Sequence, residues 1–228
     1  IRDRSKYISH RTLFEFDIIQ RVLSRHSYQN AEKFIQEVFW RVYWKGWLEM
    51  RPKVWADYLK EVELAKNLLN DRQITRVKEI LGGCSGISFM DHFTHELSET
   101  GYLHNHARMW WASHWVHVER LPWQLGAAFF FSHLLDADAA SNTLSWRWVA
   151  GLQTKGKAYL INRDNLLKYC SPEILTNPAE LDYLNEVSPI DISESKLYDP
   201  EHSNLIKYNL PPVESDKRIG VWVHDDDL

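Results

Sequence analysis

The chain has 228 residues, 44% of them hydrophobic, enough for one substantial core and at most an appendage beyond it. Its formal charge of −4 gives no global footprint for nucleic acid, so any contact with a phosphate backbone must come from a local basic patch. There is no signal-peptide pattern and no apolar run of about 18 residues, so membrane spanning is not expected; Cys84 and Cys170 are too few for a cysteine-built iron–sulfur site or zinc ribbon and read as reduced thiols of a cytoplasmic protein.

Apolar residues at Phe14, Ile18, Ile19, Val22 and Leu23 have helical spacing and predict a helix from Phe14 to Ser27. Ser27 is placed to cap a longer helix, in which Phe34, Ile35, Val38, Phe39, Val42 and Tyr43 recur every third or fourth position. Further helices are predicted from Val54 to Leu69 and from Gln73 to Leu81, divided at Asn70-Asp71. The run Gly82 to Gly86 interrupts the pattern, which resumes through Ile87, Met90, Phe93 and Leu97 and stops at Thr100-Gly101. Helices from Asn105 to Val118 and from Trp123 to Leu135 follow, the second opened by Pro122, whose fixed φ suits a first turn. Asp138 or Ser141 can cap a short helix carrying Trp146 and Trp148. Beyond Gly151 the character changes. Residues 177–212 hold five prolines and little periodicity, which predicts loop, and the closing run RIGVWVHDDDL has a strand's pattern with no sheet to join. The chain is therefore expected to stop where a further element or domain begins. The reading is an all-α fold: a compact multi-helix domain over residues 1–170 and an irregular tail over 171–228 ending in a strand-like run.

The chemistry concentrates between Thr100 and Gly151, where Trp110, Trp111, Trp115, Trp123, Trp146 and Trp148 stand beside Arg108, Asp136, Asp138 and Asn142. Indole is bulky and its N–H needs a partner, so ordinary cores use it sparingly. Broad aromatic faces beside a few fixed polar groups suit a flat heteroaromatic ligand; a tryptophan-rich core is the alternative. Arg108 with the two aspartates could equally be a structural ion pair, because a buried guanidinium requires a carboxylate. Asn142 follows Asp138 by one turn on the same face, and Glu37, Trp40 and Arg41 share a face of the earlier helix, where Glu37 and Arg41 would also make an ordinary salt pair. His92/His95 and His114/His117 lie near Glu96 and Glu119 but lack the Glu-x-x-His pairing of a carboxylate-bridged centre, so no metal site is expected.

The run TGYLHN..ARM followed by LLDxDxAxNxxxWxW, with FIQEVFWRVYWKGW before it, resembles the flavin-binding helical domain of the cryptochrome/photolyase family. The likeness spans about residues 1–170 and is specific over 34–47 and 100–151. It implies a domain that binds FAD non-covalently in a U shape. Carried over, Arg108 pairs with Asp136 across the flavin ring, Asp138 accepts from the imide N–H, and Asn142 faces N5, as on the photolyase side of the family. Trp146 and Trp123 match the inner and middle members of an electron-transfer chain, and Trp55 is the residue offered for the outer one. Phe34, Glu37, Trp40 and Arg41 match the [WF]xxExxWRxFY helix; Glu37 would contact damaged bases, Trp40 stack on them and Arg41 line the same region. Asn105, Met109 and Trp148 complete the pocket for a cyclobutane pyrimidine dimer. Ser5 and Tyr7 match the end of the TSxLSPYL loop around the FAD diphosphate, with Arg2 and Arg4 placed to offset phosphate charge. The function implied is blue-light-driven repair of UV-damaged DNA by electron transfer from reduced FAD, a lyase reaction. The alternatives are a cryptochrome-like blue-light receptor or electron-transfer flavoprotein, and a non-catalytic helical module. The family's N-terminal α/β domain has no counterpart in the sequence, so a short form without an antenna chromophore is expected.

Overall fold

The computed structural model describes residues 5–154, 157–175, 178–192 and Tyr198. The helices are α1 (Ser5–Ser9), α2 (Glu15–Leu23), α3 (Tyr28–Glu49), α4 (Pro52–Leu68), α5 (Asp71–Leu81), α6 (Ser88–Thr100), α7 (Asn105–Ser113), α8 (Trp123–His133), α9 (Ala139–Val149) and α10 (Arg163–Tyr169). Among the described residues there is no strand, and no helix is long and apolar enough to cross a membrane. The local signals explain most boundaries. Asn70 and Gln73 form a reciprocal capping box at the start of α5, Asp138 caps α9 through the Ser141 N–H, and Pro52 stands in the first turn of α4. Gly101 ends α6 at φ 66°, and its carbonyl accepts from the Leu135 N–H at 2.9 Å, tying that corner to the end of α8.

The helix predicted from Asn105 to Val118 continues past Ser113 as a π-helical turn, His114–Val118. The wider turn leaves every residue from Trp110 to His117 buried, which an α-helix with one solvent face does not do. Trp111 and Trp115 stack at 5.1 Å at the centre of the main core, where Phe89 and Phe130 are also fully enclosed. The indole N–H groups have partners: Trp110 on Asn165 Oδ1, Trp111 on Thr94 Oγ1 and Trp115 on the Pro122 carbonyl. A second, smaller core of Leu48, Val54, Ala140 and Leu144 joins α3, α4 and α9.

Two expectations need correction, and one helix carried no sequence signal. Residues 178–186, read as loop, form a 3-10 helix that buries Leu181 and Leu184 in the main core; two leucines three apart are too short a pattern to register as periodic. Helix α10 had no periodic signature either, because only Leu166 of its seven residues is buried. Ser27 occupies the N-cap of α3 without making a side-chain bond there. The strand-like run at 218–228 lies outside the described residues, as do Arg2, Arg4 and the Ser5 side chain.

Candidate functional site

A cavity of about 690 Å³ opens between α3, α7, the end of α8 and α9, within the size range of small-molecule and cofactor sites. Glu37, Trp40, Arg41, Asn105, Arg108, Met109, Asp136, Asp138, Asn142, Trp146 and Trp148 all line it, so residues scattered over more than a hundred positions converge on one void. Trp123, Phe34 and Trp55 do not line it. Trp123 is buried behind the wall and stacks on Tyr58 at 5.5 Å. Phe34 sits half-buried on α3 one turn before Glu37, outside the cavity wall. Ser5 is in α1 with its side chain outside the described residues, and Ser9 of the same helix brings a hydroxyl to this region. Trp55 packs instead against Tyr58 and Phe131.

The inner wall carries the charges. Arg108 Nη2 donates to both oxygens of Asp136 at 3.0 and 3.1 Å, and its Nε donates to the Leu103 carbonyl at 2.9 Å. Asp138 divides its carboxylate between the Ser141 N–H at 2.8 Å and Lys45 Nζ at 3.2 Å. Burial opposes its ionisation, but the Ser141 N–H, Lys45 and Arg41 outweigh burial and hold the carboxyl below its ordinary value. Asn142 donates Nδ2 to the Ala127 carbonyl at 2.9 Å, so its amide oxygen is the end available to the cavity. Arg41 Nη2 donates to Ser9 Oγ, and Ser9 Oγ donates to the Asp136 carbonyl, linking α1, α3 and the α8–α9 corner. Arg41 Nε and Ser141 Oγ are buried without a partner among the described residues, and both residues line the cavity. Buried donors of this kind are costly unless something in the cavity satisfies them.

Trp146 is 3% exposed, edge-on to Phe130 at 5.2 Å and to Trp111 at 6.0 Å. It reaches that position because Gly126 of α8 has no side chain: a Cβ there would collide with the far edge of the indole. The outer rim is aromatic. Trp40, 54% exposed, makes edge and tilted contacts with Tyr43 at 5.5 Å and Trp44 at 5.6 Å. Asn105 Nδ2 meets Met109 Sδ at 3.6 Å on the neighbouring wall.

Sequence reasoning missed Ser9, Lys45, Tyr43, Trp44, Trp47 and Gln153. Lys45, Trp44 and Trp47 could have been found, since they follow Arg41 and Trp40 by one or two turns on α3. Ser9 and Gln153 carry no sequence signal; only the folding of α1 and the turn after α9 brings them in. Among the described residues no three His, Cys, Asp or Glu side chains converge as metal ligands.

A flat ligand with an acceptor-rich polar portion fits this donor set: the unpartnered Arg41 Nε and Ser141 Oγ, the Arg41 charge, and broad indole walls. The family described as the FAD binding domain of DNA photolyase matches residues 34–174, and the chain belongs to the cryptochrome/photolyase family through that domain, whose cofactor is FAD. A deoxyribodipyrimidine photo-lyase of Streptomyces griseus is 30% identical over 54% of this chain and 26% of its own length. A cryptochrome DASH of Natronomonas pharaonis is 26% identical over 84% of this chain and 43% of its own length. The crystal structure of a class III photolyase from Agrobacterium tumefaciens shares the fold at a TM-score of 0.54 and 23% identity, covering 72% of this chain and 33% of that one. The chain thus spans between about a quarter and two fifths of the length of these relatives.

Proposed function

We propose that this chain acts as a photolyase-type domain that repairs a cyclobutane pyrimidine dimer in DNA under blue light. The observation that carries the proposal is that two sets of side chains share one cavity: Arg108, Asp136, Asp138 and Asn142 on its inner wall, and Glu37, Trp40, Asn105, Met109 and Trp148 towards its mouth. FAD, when bound, supplies the light-driven electron. The protein's contribution is positional. Arg108 is held by Asp136 and the Leu103 carbonyl, so its charge is fixed in place before any ligand arrives. Asp138, kept ionised by Ser141, Lys45 and Arg41, presents an acceptor to an N–H, and the Asn142 oxygen presents a second one deeper in. At the mouth, Trp40 offers a half-exposed ring for an unstacked base, while Glu37 and Asn105 can hydrogen-bond its edge. Trp148, stacked at 5.4 Å on Tyr159, forms a rigid opposite wall.

The test is binding of a dimer-containing oligonucleotide to purified, flavin-loaded protein, followed by illumination under reducing conditions. Trp40→Ala should lose lesion affinity by about 1–3 kcal/mol, the worth of one base stack. Glu37→Ala and Asn105→Ala should each lose about 1 kcal/mol. All three variants should keep the parent's flavin absorption. Failure of the parent to bind or repair dimer DNA would refute the proposal and put the light-receptor reading in first place.

A further inference from the structure

Tyr198 meets all three helices that the second core holds together. Its hydroxyl donates to Asp57 Oδ2 on α4 at 3.1 Å. Its carbonyl oxygen accepts from Arg51 Nε, at the α3–α4 corner, at 3.1 Å. Its ring lies 5.3 Å from the Arg147 guanidinium of α9 and packs on the small core of Leu48, Val54, Ala140 and Leu144.

Both arginines that grip Tyr198 have a second engagement, and each time the partner lines the cavity. The Arg51 guanidinium lies 4.4 Å over the Trp47 ring and donates Nη1 to the Trp47 carbonyl at 3.4 Å. Arg147 Nε reaches Gln153 Oε1 at 3.4 Å. Trp47 belongs to α3 and Gln153 follows α9, so the two contacts end on different walls of the cavity. Arg147 is 4% exposed, and a cation that deeply buried stays where its partners hold it.

We propose that Tyr198 is a positioning residue for the cavity: acting through Arg51 and Arg147 it clamps Trp47 and Gln153, and so fixes the separation of the α3 and α9 walls. The main core is poorly placed to do this, because α3 meets α9 through the separate small core and the Lys45–Asp138 ion pair. Without the clamp the seam between α3 and α9 opens by local fluctuation while the rest of the fold stays closed. Only the ligand arm of the following test rests on the flavin reading of the cavity.

Amide hydrogen exchange on the full chain decides the matter, with the parent compared to Tyr198→Ala and Tyr198→Phe. In the alanine variant, amides in the segments holding Trp47 and Gln153 should exchange about tenfold faster, while α6 and the π-helical turn keep parent rates. Both variants keep the Tyr198 main-chain carbonyl for Arg51, but the phenylalanine variant also keeps the ring over Arg147 and loses only the Asp57 bond, so it should show a smaller change confined to the same two segments. FAD release from loaded protein should be faster in the alanine variant. Parent exchange rates at Trp47 and Gln153, acceleration that reaches α6 equally, or unchanged FAD release would each overturn the clamp. A parent that binds no FAD would sink the flavin reading instead, and the exchange comparison would still decide the clamp.

Discussion

Replacing Gly126 by alanine adds one methyl group at the closest approach of two helices. The new Cβ would sit 2.8 Å from Trp146 Cζ3 and 3.2 Å from Trp115 Cδ1, with Cη2 of Trp146 nearer still, where ordinary contact begins at 3.4 Å. Trp115 is fully buried and has no room to retreat, and Trp146, 3% exposed, can yield only towards the cavity it lines. Overpacking of this kind costs about 1–3 kcal/mol. Against it stands the preference of a helix interior for alanine over glycine, worth about 1 kcal/mol. A net loss of about 1–2 kcal/mol is expected, with Trp146 displaced into the cavity it lines. The colliding atoms belong to the outer ring of the indole, so Trp146→Phe removes them. In that background Gly126→Ala should become neutral or stabilising, a coupling of about 1–3 kcal/mol across the double-mutant cycle. Urea denaturation followed by far-ultraviolet circular dichroism measures all four proteins. Equal effects of Gly126→Ala in both backgrounds, or stabilisation in the parent, would refute the steric reasoning.

Arg108→Ala strands the Asp136 carboxylate, whose side chain is 9% exposed, and should cost about 3 kcal/mol, whereas the Arg108→Ala/Asp136→Ala double variant should cost less than the sum of the singles; the same urea titrations reveal the coupling. Fully buried His114 has its pKa pushed down from 6.5 to about 4, mainly by burial, with Glu119 opposing and Arg76 assisting. The unfolded chain therefore takes up this proton first as pH falls, and the stability present above pH 6.5 is lost towards pH 4, by on the order of 3 kcal/mol; Tm against pH should fall less steeply in His114→Phe. Gly46 lies inside α3 with open space for 4 Å around the point where a Cβ would stand, so Gly46→Ala should raise stability by about 0.5–1 kcal/mol in the urea titration.

Much of the helical frame was legible because its signals are local. Gly101 and Asp138 act within a turn or two of themselves and bound their helices where expected, while Pro52 and the Asn70–Gln73 capping box start α4 and α5 two residues before the apolar pattern does. Spacing puts Glu37, Trp40 and Arg41 on one face of α3, and Asp138, Asn142 and Trp146 on one face of α9, while the meeting of those faces in one cavity was implied by the family resemblance. What stayed hidden depends on contacts between distant segments. Ser9 touches Arg41 and Asp136 across folds of the chain that no periodicity encodes. The 3-10 helix after Pro178 is stabilised by the leucines it buries rather than by its own propensity, and Tyr183 reaches His114 Nε2 at 2.8 Å from that segment. Electron-transfer and substrate-contact roles were read from the family pattern, and neither periodicity nor packing encodes them.

The π-helical turn at His114–Val118 buries four consecutive residues, His114 to His117. Evolution can therefore hardly alter it one position at a time. Trp115 rests against α8 through the Gly126 corner, His114 answers to Tyr183 and Phe89, and His117 bonds the Val149 carbonyl and the Ile190 N–H. A change at any of these positions must be met by a change in a different element. Homologues that vary here are expected to vary in matched sets, and the turn should behave as a hub of co-substitution rather than as a stretch that drifts.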